Sequence, residues 1–214
     1  MTNRNTRSRV KIYLFTTLSL LVSLSLLDQA HSAIIVSDPV KVNDGWSLTG
    51  NPFEFLTAQS GISPTAGSSF MHIQNAGGRE GTKAFTGLAI APGTYVVTFD
   101  IGNFNNRPFA VINDFLTGVT AGGVVLTPVS SASPTPPDGG ILAWTRTYNI
   151  GDSDPSVGAT LGFRVSAPNT GLDQNASFDN LLISYSVPEP STLALLSLGA
   201  SWMIFRRRRI FSVK

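Results

Sequence analysis

One predicted strand carries the residues best suited to contact a ligand. Between Ile141 and Ile150 the chain alternates so that Trp144, Arg146 and Tyr148 share one face. Aromatic rings can stack on a sugar while a guanidinium donates hydrogen bonds to its hydroxyls, so this row is a candidate glycan site. The alternative, which we favour because tryptophan is highly buried on average, is a core face with Arg146 at an edge or paired with a buried acid.

A further candidate for glycan contact is Phe104. It lies in the polar segment 102–107, which we interpret as a loop. An aromatic side chain in a loop is a better candidate for exposure than one in a strand. We therefore expect Phe104 to be accessible to a ligand.

Residues suited to catalysis are sparse. His72 is the single histidine between the two terminal segments described below, and Glu54 and Glu80 are the only glutamates there. The sequence contains no nucleophile elbow, phosphate loop, dinucleotide fingerprint or zinc motif. A glycosidase needs two placed carboxylates, and nothing in the spacing marks such a pair. We expect no enzymatic activity and keep a glycan hydrolase on a concanavalin-like sandwich as an alternative.

Strands must position these residues. Thr94–Gly102 alternates cleanly after the turn Ala91-Pro92-Gly93, and no window outside the termini has a 3.6-residue period. Similar runs, separated by turn-rich intervals, lie at 70–74, 82–90, 110–116, 124–127, 141–150, 159–166 and 178–186. The pattern predicts an all-β fold: a single antiparallel jelly-roll-type β-sandwich over residues 33–186. Residues 127–140, rich in proline and serine, are predicted to form a long exposed loop within it.

The first 32 residues have the organisation of a signal peptide. Four basic residues precede the apolar stretch Ile12–Leu27, and the small-residue site Ala30-His31-Ser32-Ala33 follows. We expect a signal helix, export by the Sec machinery and cleavage by signal peptidase.

The last residues, 187–214, combine three features in a fixed order. The motif Val187-Pro188-Glu189-Pro190 is followed by an uncharged apolar run, 191–205, and then by Arg206, Arg207, Arg208 and Arg209. A helix over this run is roughly 22 Å long at about 1.5 Å per residue. It is thus short for a hydrocarbon core of ~30 Å, and the predicted transmembrane helix is a marginal anchor. The arginines predict that this end stays in the cytoplasm.

This order resembles the PEP-CTERM protein-sorting signal of Gram-negative bacteria, also labelled the ice-binding protein C-terminal domain. The resemblance implies that Pro188-Glu189-Pro190 is recognised by an exosortase, a membrane-embedded sorting protease, while the helix and the arginines hold the substrate. It also implies export across the inner membrane, transient anchoring, and a final location at the cell surface or outside the cell.

Charge is distributed unevenly along the chain. Nine of the 15 Lys and Arg residues lie in the terminal segments, although the whole chain carries +2. Between residues 33 and 186, six basic residues stand against eleven acidic ones, which leaves about −5. An acidic domain does not attract a phosphate backbone, so we expect no nucleic-acid partner. The chain has no cysteine, so packing alone must stabilise an exported domain.

Four short motifs resemble carbohydrate-binding modules and galactose-binding-like sandwiches: Gly45-Trp46, Phe53-Glu54, Pro92-Gly93-Thr94-Tyr95 and Phe178-Asp179-Asn180-Leu181-Leu182. A structural calcium can bind near the first and last strands of such folds. The resemblance therefore implies Asp179 as a calcium ligand, with Asp44 or Glu54 as partners. The alternative is that Asp179 and Asn180 satisfy local backbone groups where the strand begins. We expect no other cofactor.

Together these features predict an exported, non-catalytic component of the cell surface or extracellular matrix, associated with exopolysaccharide. A specific glycan-binding protein is the first alternative and the hydrolase is the second.

Overall fold

The computed structural model describes residues 32–42, 44–50, 54–74, 79–110, 112 and 117–187. The predicted signal helix, the predicted transmembrane helix, Pro188-Glu189-Pro190 and Arg206 to Arg209 lie outside these residues. Among the residues described, no helix is long and apolar enough to cross a membrane.

Every regular element in this part of the chain is a strand, which confirms the predicted all-β class. In chain order the strands are β1 (Ser32–Asp38), β2 (Ser47–Thr49), β3 (Glu54–Leu56), β4 (Phe70–Gln74), β5 (Arg79–Ala89), β6 (Gly93–Gly102), β7 (Gly118–Ala121), β8 (Val124–Val125), β9 (Ser130–Ala132), β10 (Ile141–Ile150), β11 (Thr160–Ala167) and β12 (Asn175–Ser186).

The strands form two antiparallel sheets that pack as a sandwich. The first sheet has the order β3-β4-β12-β6-β10-β9, with β1 also paired to β12. The second sheet has the order β2-β5-β11-β7-β8. Strands distant in the chain are therefore neighbours: β12 pairs with β6, and β11 pairs with β5 and β7.

Strand β12 changes partner along its length. Its first part, Asn175 to Phe178, pairs with β4, and its second part, from Leu181, pairs with β1. Between the two parts Asn180 has a φ of 51°, a left-handed conformation that asparagine tolerates better than most residues. This local break places Asp179 where β12 changes partner from β4 to β1, opposite Asp100 of β6.

Alternating side chains from both sheets fill the space between them. Phe99 of β6, Phe163 of β11 and Phe178 of β12 meet at its centre. The ring centroids of Phe163 and Phe178 are 5.6 Å apart in a stacked arrangement, and those of Phe99 and Phe163 are 5.3 Å apart. Ring pairs at such distances add stabilisation beyond the burial of their area.

The predicted long loop, 127–140, is held against the first sheet. Its strand β9 pairs with β10 through Ser130 to Ala132. The indole Nε1 of Trp144 donates to the carbonyl of Pro134 at 2.9 Å, and the amide of Asn103 donates to the carbonyl of Pro136 at 3.2 Å. These bonds give the proline-rich segment a defined path over the sheet.

Candidate functional site

The Trp144–Arg146–Tyr148 row lies on the inner face of β10. Its partners on β6 are Phe99, Val97 and Tyr95 in register. The relative exposures are 4% for Trp144, 1% for Arg146 and 1% for Tyr148. The structure therefore shows the core arrangement, and these rings present no face on which a sugar could stack.

The polar groups of this row have partners inside the protein. The Tyr148 hydroxyl accepts a hydrogen bond from the Val119 backbone at 3.1 Å, and burial raises the pKa of Tyr148. The Arg146 guanidinium carbon lies 5.7 Å from the Phe99 ring centroid and 5.9 Å from that of Trp144. Cation–π attraction of this kind is strongest away from water, so Arg146 belongs to the core packing.

The expectation that Phe104 is exposed is wrong. Its side chain is fully buried, with ring centroids 5.9 Å from Phe70 and 5.1 Å from His72. The segment around it is indeed irregular, but it folds inward because Asn105 donates to the Ser60 carbonyl and Asn106 to the Asp138 carboxylate. Phe104 thus fills a second, smaller core with Ile62 and Phe70.

His72 occupies a structural position. Its Nε2 lies 2.8 Å from Oδ1 of Asn175, while the Asn175 amide group donates to Asp173. Since the Asn175 oxygen can only accept, His72 Nε2 carries the proton. Hydrogen bonds from Gln74 and Asn175 hold the pKa of Asp173 below its usual value. The network fixes the start of β12 and leaves His72 buried.

The Asp179 carboxylate binds the backbone of a loop that is distant in the chain. Its Oδ2 accepts from the backbone of Thr65 at 2.7 Å and of Ala66 at 3.1 Å, and its Oδ1 accepts from the Asn180 backbone at 2.8 Å. The Thr65 hydroxyl lies 2.7 Å from Asp100 Oδ2 and 3.1 Å from Asp179 Oδ2. Burial raises the pKa of Asp179, and these donors partly oppose that rise.

Asp44 has a different partner. The ammonium of Lys83 lies 3.1 Å from Asp44 and 2.7 Å from the buried Asp38. It also lies 5.9 Å from the ring centroid of Trp46. The Lys83 ammonium is therefore the cation that pairs with Asp44.

These arrangements do not fit a calcium ion bound by the three predicted ligands. N–H donors surround the Asp179 carboxylate, Lys83 neutralises Asp44, and Glu54 is exposed on the short strand β3. In the described part of the chain, no group of three or more acidic, histidine or cysteine side chains could hold a metal ion. The alternative, in which Asp179 satisfies local backbone groups, matches the observed hydrogen bonds.

A groove lies on the outer face of the second sheet, and we call it the threonine groove. It has a volume of about 410 Å³. Its lining comes from β5, β7, β11 and the β7–β8 turn and consists of Thr82, Lys83, Ala84, Thr120, Gly122, Gly123, Thr160 and Gly162. No sequence pattern predicts this groove. Period-two alternation could have placed Thr82 and Ala84 on one face, but not beside Thr120 and Gly162.

The fold and these surfaces define the class as a small antiparallel β-sandwich of the kind found in carbohydrate-binding modules and in certain cyclases. The sequence pattern of the HpiC1-like family, described as HpiC1 cyclase, matches residues 30–184. The chain belongs to this family. A second pattern, the PEP-CTERM protein-sorting motif, matches residues 186–209, which confirms the predicted sorting tail. The tail marks the chain for export and sorting to the cell surface.

Solved structures agree with the fold. The Stig cyclase Fisc from Fischerella sp. TAU, in complex with (3Z)-3-(1-methyl-2-pyrrolidinylidene)-3H-indole, superposes with a TM-score of 0.56 at 18% identity, covering 72% of this chain and 99% of that one. An apo-form cyclase from Fischerella sp. gives a TM-score of 0.53 at 17% identity, covering 76% and 100%. The CBM22-1 xylan-binding domain from Paenibacillus barcinonensis Xyn10C gives 0.50 at 11% identity, covering 74% and 98%. A comparison with curated proteins finds no match.

Proposed function

We propose that this protein is a non-catalytic surface component that an exosortase sorts through its PEP-CTERM tail and that associates with exopolysaccharide. The observation that carries the proposal is the sorting motif directly after the last strand of the sandwich: β12 ends at Ser186 and the motif covers 186–209. A domain delivered in this way reaches the matrix outside the cell.

The state of the ionisable side chains supports a non-catalytic role. His72 is hydrogen-bonded in the interior, and Glu80 forms an ion pair with Arg164. Asp100 and Asp179 share the Thr65 hydroxyl, but Asp179 is only 3% exposed, so a glycosidic bond could not reach it. A hydrolase would need two accessible carboxylates on either side of its substrate.

Sorting through the PEP-CTERM tail is tested in the producing cells. We expect deletion of the exosortase to leave the full-length chain in the membrane fraction, and Glu189→Ala to have the same effect. Ser191→Ala, which lies just after the motif, is the matched control and should be processed normally. Immunoblotting of cell fractions gives the readout, and unchanged processing without the exosortase would overturn the sorting step.

The matrix role is tested by binding. The full chain, solubilised in mild detergent, should be retained by the total exopolysaccharide of the producing cells. Absence of retention would overturn the association with exopolysaccharide.

Cyclase activity is a second candidate function, favoured by the family match over residues 30–184. Saturation-transfer NMR of the full chain with (3Z)-3-(1-methyl-2-pyrrolidinylidene)-3H-indole, the compound bound by the Fischerella cyclase, tests it directly. Transfer to the indole protons would support this candidate, and none would be expected from a matrix component.

A further inference from the structure

We propose that the threonine groove is the site where this protein binds a neutral polysaccharide chain. The inference rests on the proposed function, because it names the surface through which a matrix component would hold exopolysaccharide. It is carried by the shape of the groove, by the chemistry of its lining and by the position of the nearby charges.

An irregularity in strand pairing lies next to the groove. Strand β11 pairs with β5 at Gly162↔Ala84 and again at Thr160↔Ala89. Residues 85–88 stand opposite the single residue Leu161, so β5 has three residues more than β11 here, and Gly87 has a φ of 87°. Such bulges bend a strand and interrupt its pairing. The irregularity lies beside Thr160 and Gly162, which line the groove.

Glycine at position 162 lets Thr120 and the β5 backbone lie close to β11. A Cβ atom there would lie 2.5 Å from the Thr120 hydroxyl oxygen and 2.7 Å from the Lys83 carbonyl oxygen. Both distances are too short for a side chain, and the second is to backbone. Glycine is therefore required here by the close approach of Thr120 and of the β5 backbone, and the neighbouring Ala84 adds only a methyl group to the lining.

The lining matches a hydroxyl-rich ligand. Thr82, Thr120 and Thr160 each bring a hydroxyl, which can donate one hydrogen bond and accept others, as a sugar hydroxyl does. Their methyl groups, Ala84 and the glycine backbone provide apolar contact for the C–H faces of a sugar ring. A volume of about 410 Å³ falls within the roughly 300–1,000 Å³ of small-molecule sites.

The surrounding charges favour a neutral partner. Lys83 is the ionisable residue of the lining, and its ammonium is held by Asp38 and Asp44. The neighbour of Thr82 on β11 is Arg164, which forms an ion pair with Glu80. With these charges neutralised, the groove offers an acidic polysaccharide no cationic partner, while the domain as a whole is acidic.

The test compares two exposed alanines on different sheets. Ala84→Trp fills the threonine groove, whereas Ala143→Trp adds the same ring to the outer face of the first sheet, opposite Asp100. The probe is the neutral fraction of the cells' exopolysaccharide, separated from the acidic fraction by anion exchange and immobilised. Binding of the detergent-solubilised full chains and their thermal unfolding are measured for both variants.

We expect Ala84→Trp to weaken binding by about tenfold or more and Ala143→Trp to leave it unchanged, with both variants folded. Thr82→Val removes one hydroxyl at nearly constant volume and should weaken binding less than Ala84→Trp. It still tests the groove if the bulkier Ala84→Trp variant does not fold. Equal binding by all variants, or loss only in Ala143→Trp, would overturn the groove but not the proposed function. Retention by the acidic fraction alone would overturn the neutral partner, and no retention by either fraction would overturn both proposals.

Discussion

At the level of single residues, the role of Asp179 is not evident from its residue type alone. Asp179 resembles a metal ligand by sequence, yet its oxygens accept backbone hydrogen bonds from Thr65, Ala66 and Asn180. A carboxylate bound in this way holds the segment around Thr65 against the junction of β6 and β12. The residue is structural because two of its donors, Thr65 and Ala66, belong to a loop more than a hundred positions away in the chain.

Asp179 makes the stability of the protein depend on pH. Because burial raises its pKa, its ionisation costs more free energy in the folded state than in the unfolded one. Its favourable contribution is present below the unfolded-state pKa of roughly 3.9 and is lost as pH rises through the folded-state pKa. We therefore expect the stability of the wild type, relative to Asp179→Asn, to fall as pH rises from acidic to neutral.

Denaturant unfolding at several pH values measures this effect. Asp154→Asn is the control of opposite sign, since hydrogen bonds from Ser156 lower the pKa of Asp154. The contribution of Asp154 is present above the unfolded-state pKa and is lost as pH falls through the folded-state value. The same trend in both variants would contradict the assignment.

At the scale of elements, one ion pair joins the two sheets. Asp38 ends β1 in the first sheet, and Lys83 lies on β5 in the second, with 2.7 Å between their charged atoms. The Asp38 side chain is 3% exposed and that of Lys83 is 13% exposed, so water screens this pair little. The pair therefore fixes the position of the first strand relative to the opposite sheet.

Lys83→Met should destabilise the fold strongly. The substitution keeps an apolar stem but leaves the Asp38 carboxylate buried without its cation, a change that typically costs about 3–5 kcal/mol. Asp44→Asn is the matched control: Asp44 is 44% exposed, and losing an exposed pair costs less than about 1 kcal/mol. Urea unfolding measures the loss in the free energy of unfolding for both variants. Similar losses would show that the buried ion pair stabilises the fold no more than the exposed one.

Across the whole molecule, the terminal segments are basic and the β-sandwich between them is acidic. The basic residues concentrate in the terminal segments, so the overall charge of +2 says little about the acidic domain between them. The threonine groove lies on the outer face of the second sheet, while Trp144, Tyr148 and Phe104 are buried in the interior.

The longer strands, the all-β class and the sorting tail could be predicted from the sequence, because alternation and short motifs are properties of neighbouring residues, whereas the short strands β3, β7 and β9 could not. The sequence left open which side of β10 faces the interior, and it misplaced Phe104. Both points follow from the folded structure alone, since they depend on strands that pair across long stretches of chain. The threonine groove is the clearest case: its lining comes from β5, β7 and β11, which lie far apart in the chain and are brought together only by strand pairing. No local pattern contains that pairing, so the candidate binding surface became visible only in the folded molecule.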